Sequence, residues 1–179
     1  MAPAAGDDWR IELIGAHPRL FDPPEGHPER ASGYPWCEAG WRDLLERLCV
    51  RIEGALPEGE TIHFSQIKEK FAALRVYWRG DVSSDTAARI NAAIALGEAR
   101  SACTCEECGE VGKLYRHAGR YQTHCATHAK GAPVTAELGL ENVYVARLAA
   151  QSGFRVEPRR YDRETDTFSE VPPSTDQGE

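Results

Sequence analysis

The stretch "CEECGEVGKLYRHAGRYQTHCATH", residues 105–128, holds three of the six cysteines and three of the six histidines of this 179-residue chain. Two pairs, Cys105-x2-Cys108 and Cys125-x2-His128, are separated by sixteen residues. Pairs at this spacing are typical of zinc sites, because a tight turn lets both side chains of a pair converge on one ion. Three thiolates and one imidazole fill a tetrahedral shell and leave no position for water. We therefore predict one structural Zn2+.

The ligand set has two alternative members. Cys103 lies two residues before the first pair and could replace one of its cysteines. His124 is adjacent to Cys125, so its side chain should point away from the metal. A redox C-x2-C motif is a third interpretation, but the sequence lacks the βαβ context that this motif needs. The residues between the pairs predict a hairpin with its turn at residues 117–119, within a zinc ribbon spanning residues 101–131.

The residues before the ribbon predict an α+β body at residues 1–100. Apolar residues recur at helical spacing over residues 39–54. Residues 61–67 and "LRVYW" (residues 74–78) predict two strands joined by a short turn, with clear alternation in the second strand. Ile67, Phe71 and Leu74 would also fit one face of a helix. The alanine-rich residues 83–102 form the clearest helix and lead directly into the cysteines. The predicted fold is α+β: a small antiparallel sheet, two main helices and an appended treble-clef-like zinc ribbon.

The two ends of the chain give weaker patterns. Residues 1 to about 35 are rich in Pro, Gly, Asp and Glu, and residues 17–36 contain five prolines. This composition predicts an irregular N-terminal segment that packs on the core through its apolar residues. Residues 132–171 predict a short helix near residues 140–152 and a hairpin around a turn at Glu164–Asp166. Residues 172–179 are polar, and we expect a disordered tail there.

Composition limits the classes of function. The chain is 41% hydrophobic and 27% charged, with a net charge of -7. It has neither a secretory signal nor an apolar run of about 18 residues, so we expect no membrane segment and a cytoplasmic location with reduced cysteines. The acidic balance disfavours a nucleic-acid partner. No phosphate-binding loop or hydrolase motif accompanies the four-ligand site, which disfavours an enzyme.

Four segments resemble a group of small bacterial and phage-associated proteins: "AGWRDLLERLCVRIE", "FSQIKEKFAALRVYW", "ARSACTCEECGEVGKLY" and "THCATHA". Proteins of this group share a G-W-x-x-L-L-x-x-L-C helix, a Q-I-K-E-K-F-G-G-L-R stretch and a C-x-x-C-G…C-x-x-H ribbon. The resemblance covers about residues 36–130 and departs at Ala72-Ala73, where the pattern prefers two glycines. It implies the architecture and a bacterial or phage origin, and it implies no activity.

The leading hypothesis is a non-enzymatic zinc-ribbon protein that binds a protein partner. In a bacterial or phage context this means an immunity protein, an antitoxin-like inhibitor, or a regulator of phage or host machinery. The candidate contact residues are Tyr115, Arg116, Arg120 and Tyr121 of the hairpin, because Tyr and Arg dominate interface hot spots. A nucleic-acid-binding ribbon is the alternative, and an enzyme ranks third. The sequence leaves the oligomeric state open.

Overall fold

A computed structural model describes residues 8–150 and 153–171, so the predicted tail at 172–179 lies outside the described residues. The fold is α+β, as predicted. The helices are α1 (Trp9–Ala16), α2 (Pro18–Phe21), α3 (Arg42–Ala55) and α4 (Ser84–Ser101). The strands are β1 (Pro35–Trp36), β2 (Thr61–Lys70), β3 (Ala73–Asp81), β4 (Lys113–His117), β5 (Arg120–His124), β6 (Ala132–Pro133), β7 (Val143–Ala150), β8 (Gly153–Asp162) and β9 (Thr167–Glu170). They form three sheets, ordered β1-β2-β3, β5-β4-β6 and β7-β8-β9.

The two main helices confirm the helical periodicity of the sequence. The predicted apolar face of α3 is buried, and Trp41, just before the helix, is fully buried with it. At the start of α4 the Ser83 hydroxyl accepts the Thr86 N–H at 3.2 Å, which satisfies one of the unpaired donors of the first turn. Ile90 and Ile94 of α4 face the same core. Within the described parts of the chain, neither these helices nor the shorter ones could cross a membrane.

β2 and β3 form the predicted antiparallel hairpin, and β1 adds a short parallel pair with β2. The inner face of the sheet buries Ile62, Phe64, Ile67 and Leu74 against the helices. The opposite face carries the polar residues of the alternating pattern. One face of this sheet therefore belongs to the core and the other lies on the surface.

The turn of this hairpin contains two residues with left-handed backbone angles, Phe71 (φ 55°) and Ala72 (φ 62°). A two-residue turn with positive φ at both positions is the type I′ turn that favours Asn and Gly. The Glu69 carboxylate accepts the Ala72 N–H at 2.6 Å, and the Ala72 carbonyl accepts the Thr123 hydroxyl at 2.9 Å. Position 72 therefore favours glycine, while Ala73 lies in β3.

We expect Ala72→Gly to stabilise the protein by about 0.5–1 kcal/mol, because glycine adopts positive φ without steric cost. Ala73→Gly should have the opposite sign and destabilise by about 0.5–1 kcal/mol, because glycine in a strand only adds conformational freedom to the unfolded chain. Urea unfolding of the two variants tests this pair. Equal effects of the two substitutions would contradict the left-handed geometry at Ala72.

The N-terminal segment corrects the prediction of an irregular chain. Residues Trp9–Ala16 are free of proline, and the Asp8 carboxylate caps them by accepting the Arg10 N–H at 3.0 Å. Pro18 starts α2 at a first-turn position, where its missing N–H costs nothing. The prolines therefore delimit helices here instead of preventing them. The expectation that this segment packs on the core is confirmed, with Leu13, Ile14, Leu20 and Phe21 buried.

His17 is buried and joins α1 and α2 to α3 through ion pairs with two partly exposed glutamates. Its Nε2 lies 3.0 Å from a Glu46 carboxylate oxygen and its Nδ1 lies 2.9 Å from Glu53. Burial disfavours the charged ring, but hydrogen bonds and negative charge from both glutamates outweigh burial and raise the pKa of His17. Both ring nitrogens can donate only when the imidazole is protonated. The ion pairs of His17 with Glu46 and Glu53 are therefore strongest below the raised pKa of His17.

We expect His17→Gln to destabilise the chain by about 1–2 kcal/mol at pH 6, discounted because the Glu46 carboxylate is half exposed. A raised pKa in the folded state adds stability that is complete below the unfolded value of about 6.5. That stability is lost as the pH rises through the folded pKa, so the difference from wild type should shrink by pH 9. Urea unfolding at both pH values measures it.

His27→Gln is the matched control, since His27 pairs with Glu29 at 3.1 Å on the exposed surface. Exposed pairs contribute little, and we expect almost no effect of this substitution at either pH. A pH-independent deficit in His17→Gln would show that the ring acts through packing alone.

The C-terminal region corrects a second prediction. Residues Val143–Ala150, where a helix near 140–152 was predicted, form strand β7 and pair with β8. Tyr144 is half-buried and packs against the small apolar cluster of Ala99, Cys103 and Tyr161, while Val145 is exposed. The alanines fit either period, and the deciding partner is β8, the next strand of the chain. Strand pairing therefore overrides local helix propensity.

The predicted C-terminal hairpin is confirmed by β8 and β9, which pair around a turn at residues 163–166. Asp166 is buried in this turn, where it accepts hydrogen bonds from the Tyr161 hydroxyl and, at 2.7 Å, from Arg51 of α3. Arg163 donates to the Gly109 carbonyl at 3.2 Å. These contacts attach the C-terminal sheet to both the helices and the ribbon.

Candidate metal centre

The first pair of the ribbon lies in a tight turn that directly follows α4. The Cys105 N–H donates to the Glu110 carbonyl at 2.8 Å, and the Gly109 N–H donates to the Cys105 carbonyl at 2.9 Å. Gly109 has φ +80°, which this turn requires and which glycine adopts without strain. The turn brings the sulfurs of Cys105 and Cys108 to one side of the loop.

The hairpin of β4 and β5 returns the chain to this turn, as the spacing predicted. Its two-residue turn is Ala118-Gly119, both with positive φ. After β5 the chain makes one turn, in which the His128 and Ala129 N–H groups donate to the Cys125 carbonyl at 3.2 and 2.9 Å. The second pair thus comes from a single turn, not from a helix.

Four ligand atoms converge between the two turns. The sulfurs of Cys105, Cys108 and Cys125 and a ring nitrogen of His128 all lie within 4.8 Å of one another. The Cys108–Cys125 sulfur distance is 3.7 Å, and the His128 Nδ1 lies 3.5 Å from Cys105 Sγ and 3.3 Å from Cys125 Sγ. Tetrahedral zinc with ordinary bond lengths would give about 3.8 Å between sulfurs and about 3.6 Å between sulfur and nitrogen. The cluster could therefore hold one metal ion and is compatible with zinc.

The thiols differ in their readiness to ionise. The backbone N–H of His128, with help from the Cys108 thiol, lowers the pKa of Cys125 to about 6. A backbone hydrogen bond at Glu110 favours the Cys108 thiolate, but desolvation and the neighbouring sulfurs of Cys105 and Cys125 raise the pKa of Cys108 to about 11. Neighbouring thiolates repel each other, and this repulsion opposes the ionisation of further thiols in the cluster. A metal cation at the centre would offset the repulsion, because metal binding displaces the thiol protons.

The Glu107 carboxylate, which sequence patterns did not identify, lies beside the cluster. Glu107 places one oxygen 3.9 Å from His128 Nε2 and the other 3.6 Å from His124 Nε2. Carboxylates near the second nitrogen of a ligating histidine orient the ring and raise its basicity. The only sequence signal for this role is the position of Glu107 inside the first C-x2-C pair.

The two alternative ligands lie outside the cluster. Cys103 is buried beside Tyr161, and its thiol lies 3.3 Å from the Arg100 carbonyl. His124 is 5% exposed and faces Glu107, with its Nδ1 buried and unpartnered among the described residues. The metal-ligand roles of the four clustered residues remain predictions. Among the described residues, neither Cys103 nor His124 belongs to this cluster.

The start of α3 docks against the first turn of the ribbon. The Gly40 N–H donates to the Glu106 carbonyl at 2.7 Å, and a Cβ at Gly40 would lie 2.3 Å from the Cys105 carbonyl oxygen. The Trp41 indole donates to the Thr104 carbonyl at 3.0 Å in the buried core. Glycine is therefore required at position 40, because only glycine permits this approach.

The four predicted contact residues lie on the two strands of the hairpin, β4 and β5. Arg116 pairs directly opposite Tyr121, and both are exposed. Arg120 is exposed beside the turn, and Tyr115 is half-buried opposite Gln122. Their role in partner binding stays a prediction.

No protein-family model, curated protein or solved structure matches this chain.

Proposed function

We propose that the chain is a non-catalytic binding protein, in which the Cys3His cluster holds one structural Zn2+ and the ribbon hairpin contacts a protein partner. The observation that carries this proposal is the closed ligand set of three sulfurs and one nitrogen. Four protein ligands complete the tetrahedral shell of zinc, so the ion stabilises the ribbon and has no open position for substrate.

The hairpin supplies the contact surface in this proposal. Arg116 and Arg120 are exposed, and their side chains form no ion pair with the described residues. Tyr121 lies directly opposite Arg116 with 44% of its surface exposed. Tyr and Arg bury large areas and retain polar groups, which makes them frequent binding hot spots. Since Arg116 and Arg120 form no ion pair with the described residues, both guanidinium groups are available to carboxylates of a partner.

The resemblance to bacterial and phage-associated proteins suggests the class of partner. An immunity protein, an antitoxin-like inhibitor and a regulator of phage or host machinery all act by binding another protein. Such a role suits a compartment where the thiols stay reduced and free to hold zinc. Co-purification from the native host, followed by mass spectrometry, identifies the partner.

The double variant Arg116→Ala with Arg120→Ala tests the hairpin. We expect its zinc content and melting temperature to stay close to wild type, because surface substitutions usually cost within about 0.5 kcal/mol. Binding of the identified protein partner should fall by about tenfold or more, as measured by calorimetry with purified components.

Arg19→Ala with Arg30→Ala is the matched control, since it also removes two exposed cations, from the N-terminal segment. We expect this control to bind the partner as wild type does. Equal affinities of the hairpin variant and wild type would place the contact surface elsewhere.

A further inference from the structure

The surface side of the β1-β2-β3 sheet carries an unusual density of exposed aromatic rings. The solvent-exposed fractions are 71% for Trp36, 73% for Phe71 and 48% for Tyr77. Among the described residues, Tyr121 is the one other aromatic that is exposed to this degree. Three of the four most exposed aromatic rings among the described residues thus belong to this sheet, Trp36 and Tyr77 on its strands and Phe71 in the turn between β2 and β3. We call this surface, with its cations Lys68, Lys70 and Arg79, the outer sheet face.

Cations alternate with the rings on the outer sheet face. The register aligns Trp36 with Lys68, and Lys68 with Arg75, in one row across the three strands. The Lys68 ammonium lies 5.8 Å from the centre of the Tyr77 ring, and that of Lys70 lies 5.3 Å from the centre of the Phe71 ring. Like charges directly opposite each other destabilise a sheet, and of this pair Arg75 is offset by Glu98 of α4.

Few carboxylates offset these cations. Glu98 of α4 lies 3.7 Å from Arg75, and Asp81 closes the far end of β3. The Glu69 side chain is engaged with the Ala72 N–H in the turn. Lys68, Lys70 and Arg79 form no side-chain ion pair with the described residues. A chain of net charge -7 therefore presents a locally basic face.

The backbone conformation at Phe71 independently indicates that this face has a role in binding. Its φ is +55°, which is rare and strained for a bulky residue. Asn or Gly would form the same turn without this cost, and the ring is not buried to compensate for it. Strain that the fold does not require is a reason to look for a role in binding.

We propose that the outer sheet face binds single-stranded nucleic acid. Unpaired bases stack on Trp36, Phe71 and Tyr77, while Lys68, Lys70 and Arg79 contact the phosphates. Exposed rings on a sheet interleaved with basic residues offer stacking platforms along an electrostatic track. Bases within a duplex are already stacked and cannot use such rings, so the surface favours single strands. The local basic charge of this face outweighs the net charge of -7, which by itself disfavours a nucleic-acid partner. The nucleic-acid site is independent of the hairpin contact proposed above.

Fluorescence anisotropy with labelled 12-nucleotide oligo(U) and oligo(dT), and with a 12-base-pair duplex, tests the proposal at 50 mM salt. We expect a Kd between about 1 and 100 μM for at least one single strand, weakening as salt increases. The duplex should bind at least about fivefold more weakly. Absence of saturable binding to both single strands would overturn the proposal, and so would equal affinity for the duplex.

Phe71→Asn separates binding from folding. Asn adopts the left-handed conformation readily, so we expect a melting temperature equal to or above that of wild type. Affinity for the single strand should nevertheless fall about fivefold or more, because one stacking platform is lost. Trp36→Ala should weaken binding to a similar degree.

Lys68→Ala with Lys70→Ala should lower the slope of log K against log salt by about 1.4, since each phosphate contact to a single strand contributes about 0.7. Tyr121→Ala and the double variant Arg116→Ala with Arg120→Ala are matched controls on the hairpin. We expect both controls to bind the oligonucleotide as wild type does. If the hairpin variants lose binding and the outer-sheet-face variants keep it, the ribbon is the nucleic-acid site and the proposal is wrong.

Discussion

Cys105→Ser is expected to reduce the metal content from about one zinc ion per chain to near zero and to lower the stability of the whole protein. Cys105 is fully buried, and its backbone forms both hydrogen bonds that shape the first turn. Structural zinc sites contribute about 10–16 kcal/mol of binding free energy in zinc-finger peptides at pH 7. That range is similar to the total stability of most domains, about 5–15 kcal/mol.

The effect should spread beyond the ribbon because the ribbon shares buried contacts with the body. Trp41 donates to Thr104 next to the first turn, and Thr123 of β5 donates to the Ala72 carbonyl. Losing the turn would leave these buried groups without partners, which costs about 1–3 kcal/mol each. The appended ribbon that the sequence predicted is therefore joined to the body by buried contacts.

Metal analysis by mass spectrometry and thermal unfolding measure the two parts of this prediction. Cys103→Ser is the matched control, because Cys103 is a buried thiol outside the ligand cluster. It should keep a full complement of zinc. Wild-type zinc content in Cys105→Ser would contradict the site. Zinc loss with an unchanged melting temperature would instead support a separable ribbon.

Trp41→Ala should destabilise the chain by about 3–5 kcal/mol, because it removes a fully buried indole from the junction of body and ribbon. Trp41→Phe keeps most of the ring but leaves the buried Thr104 carbonyl without its donor, for an expected cost of about 1–3 kcal/mol. The zinc affinity of both variants should also fall, since the same carbonyl directly precedes Cys105. Urea unfolding and competition with a chelator measure these quantities.

Trp36→Ala provides the comparison within the same residue type. Its indole is 71% exposed, and we expect a change in stability within about 0.5 kcal/mol. If the Trp41 and Trp36 variants lose similar stability, Trp41 does not join the ribbon to the core as described.

The local patterns of the sequence were sufficient for α3, α4, the β2-β3 hairpin and the two ligand pairs. Each depends on contacts between residues close in the chain: a helical stripe, a strand alternation, or two side chains of one turn. The same is true of the ribbon hairpin, whose turn residues are adjacent in sequence. Such features can be predicted because their geometry follows from short-range steric and hydrogen-bonding rules.

Other features depended on pairing and burial that local patterns do not specify. Residues Val143–Ala150 form a strand because they pair with β8, and Trp9–Ala16 form a helix whose apolar face packs on the core. Tertiary structure alone placed Gly40 against Cys105 and aligned Trp36 with Lys68. Burial and strand pairing decide such contacts, and neither leaves a short-range signal. The sequence by itself thus determined the spacing by which the two Cys/His pairs converge, while tertiary packing decided that the ribbon joins the core and that the outer sheet face is basic and aromatic.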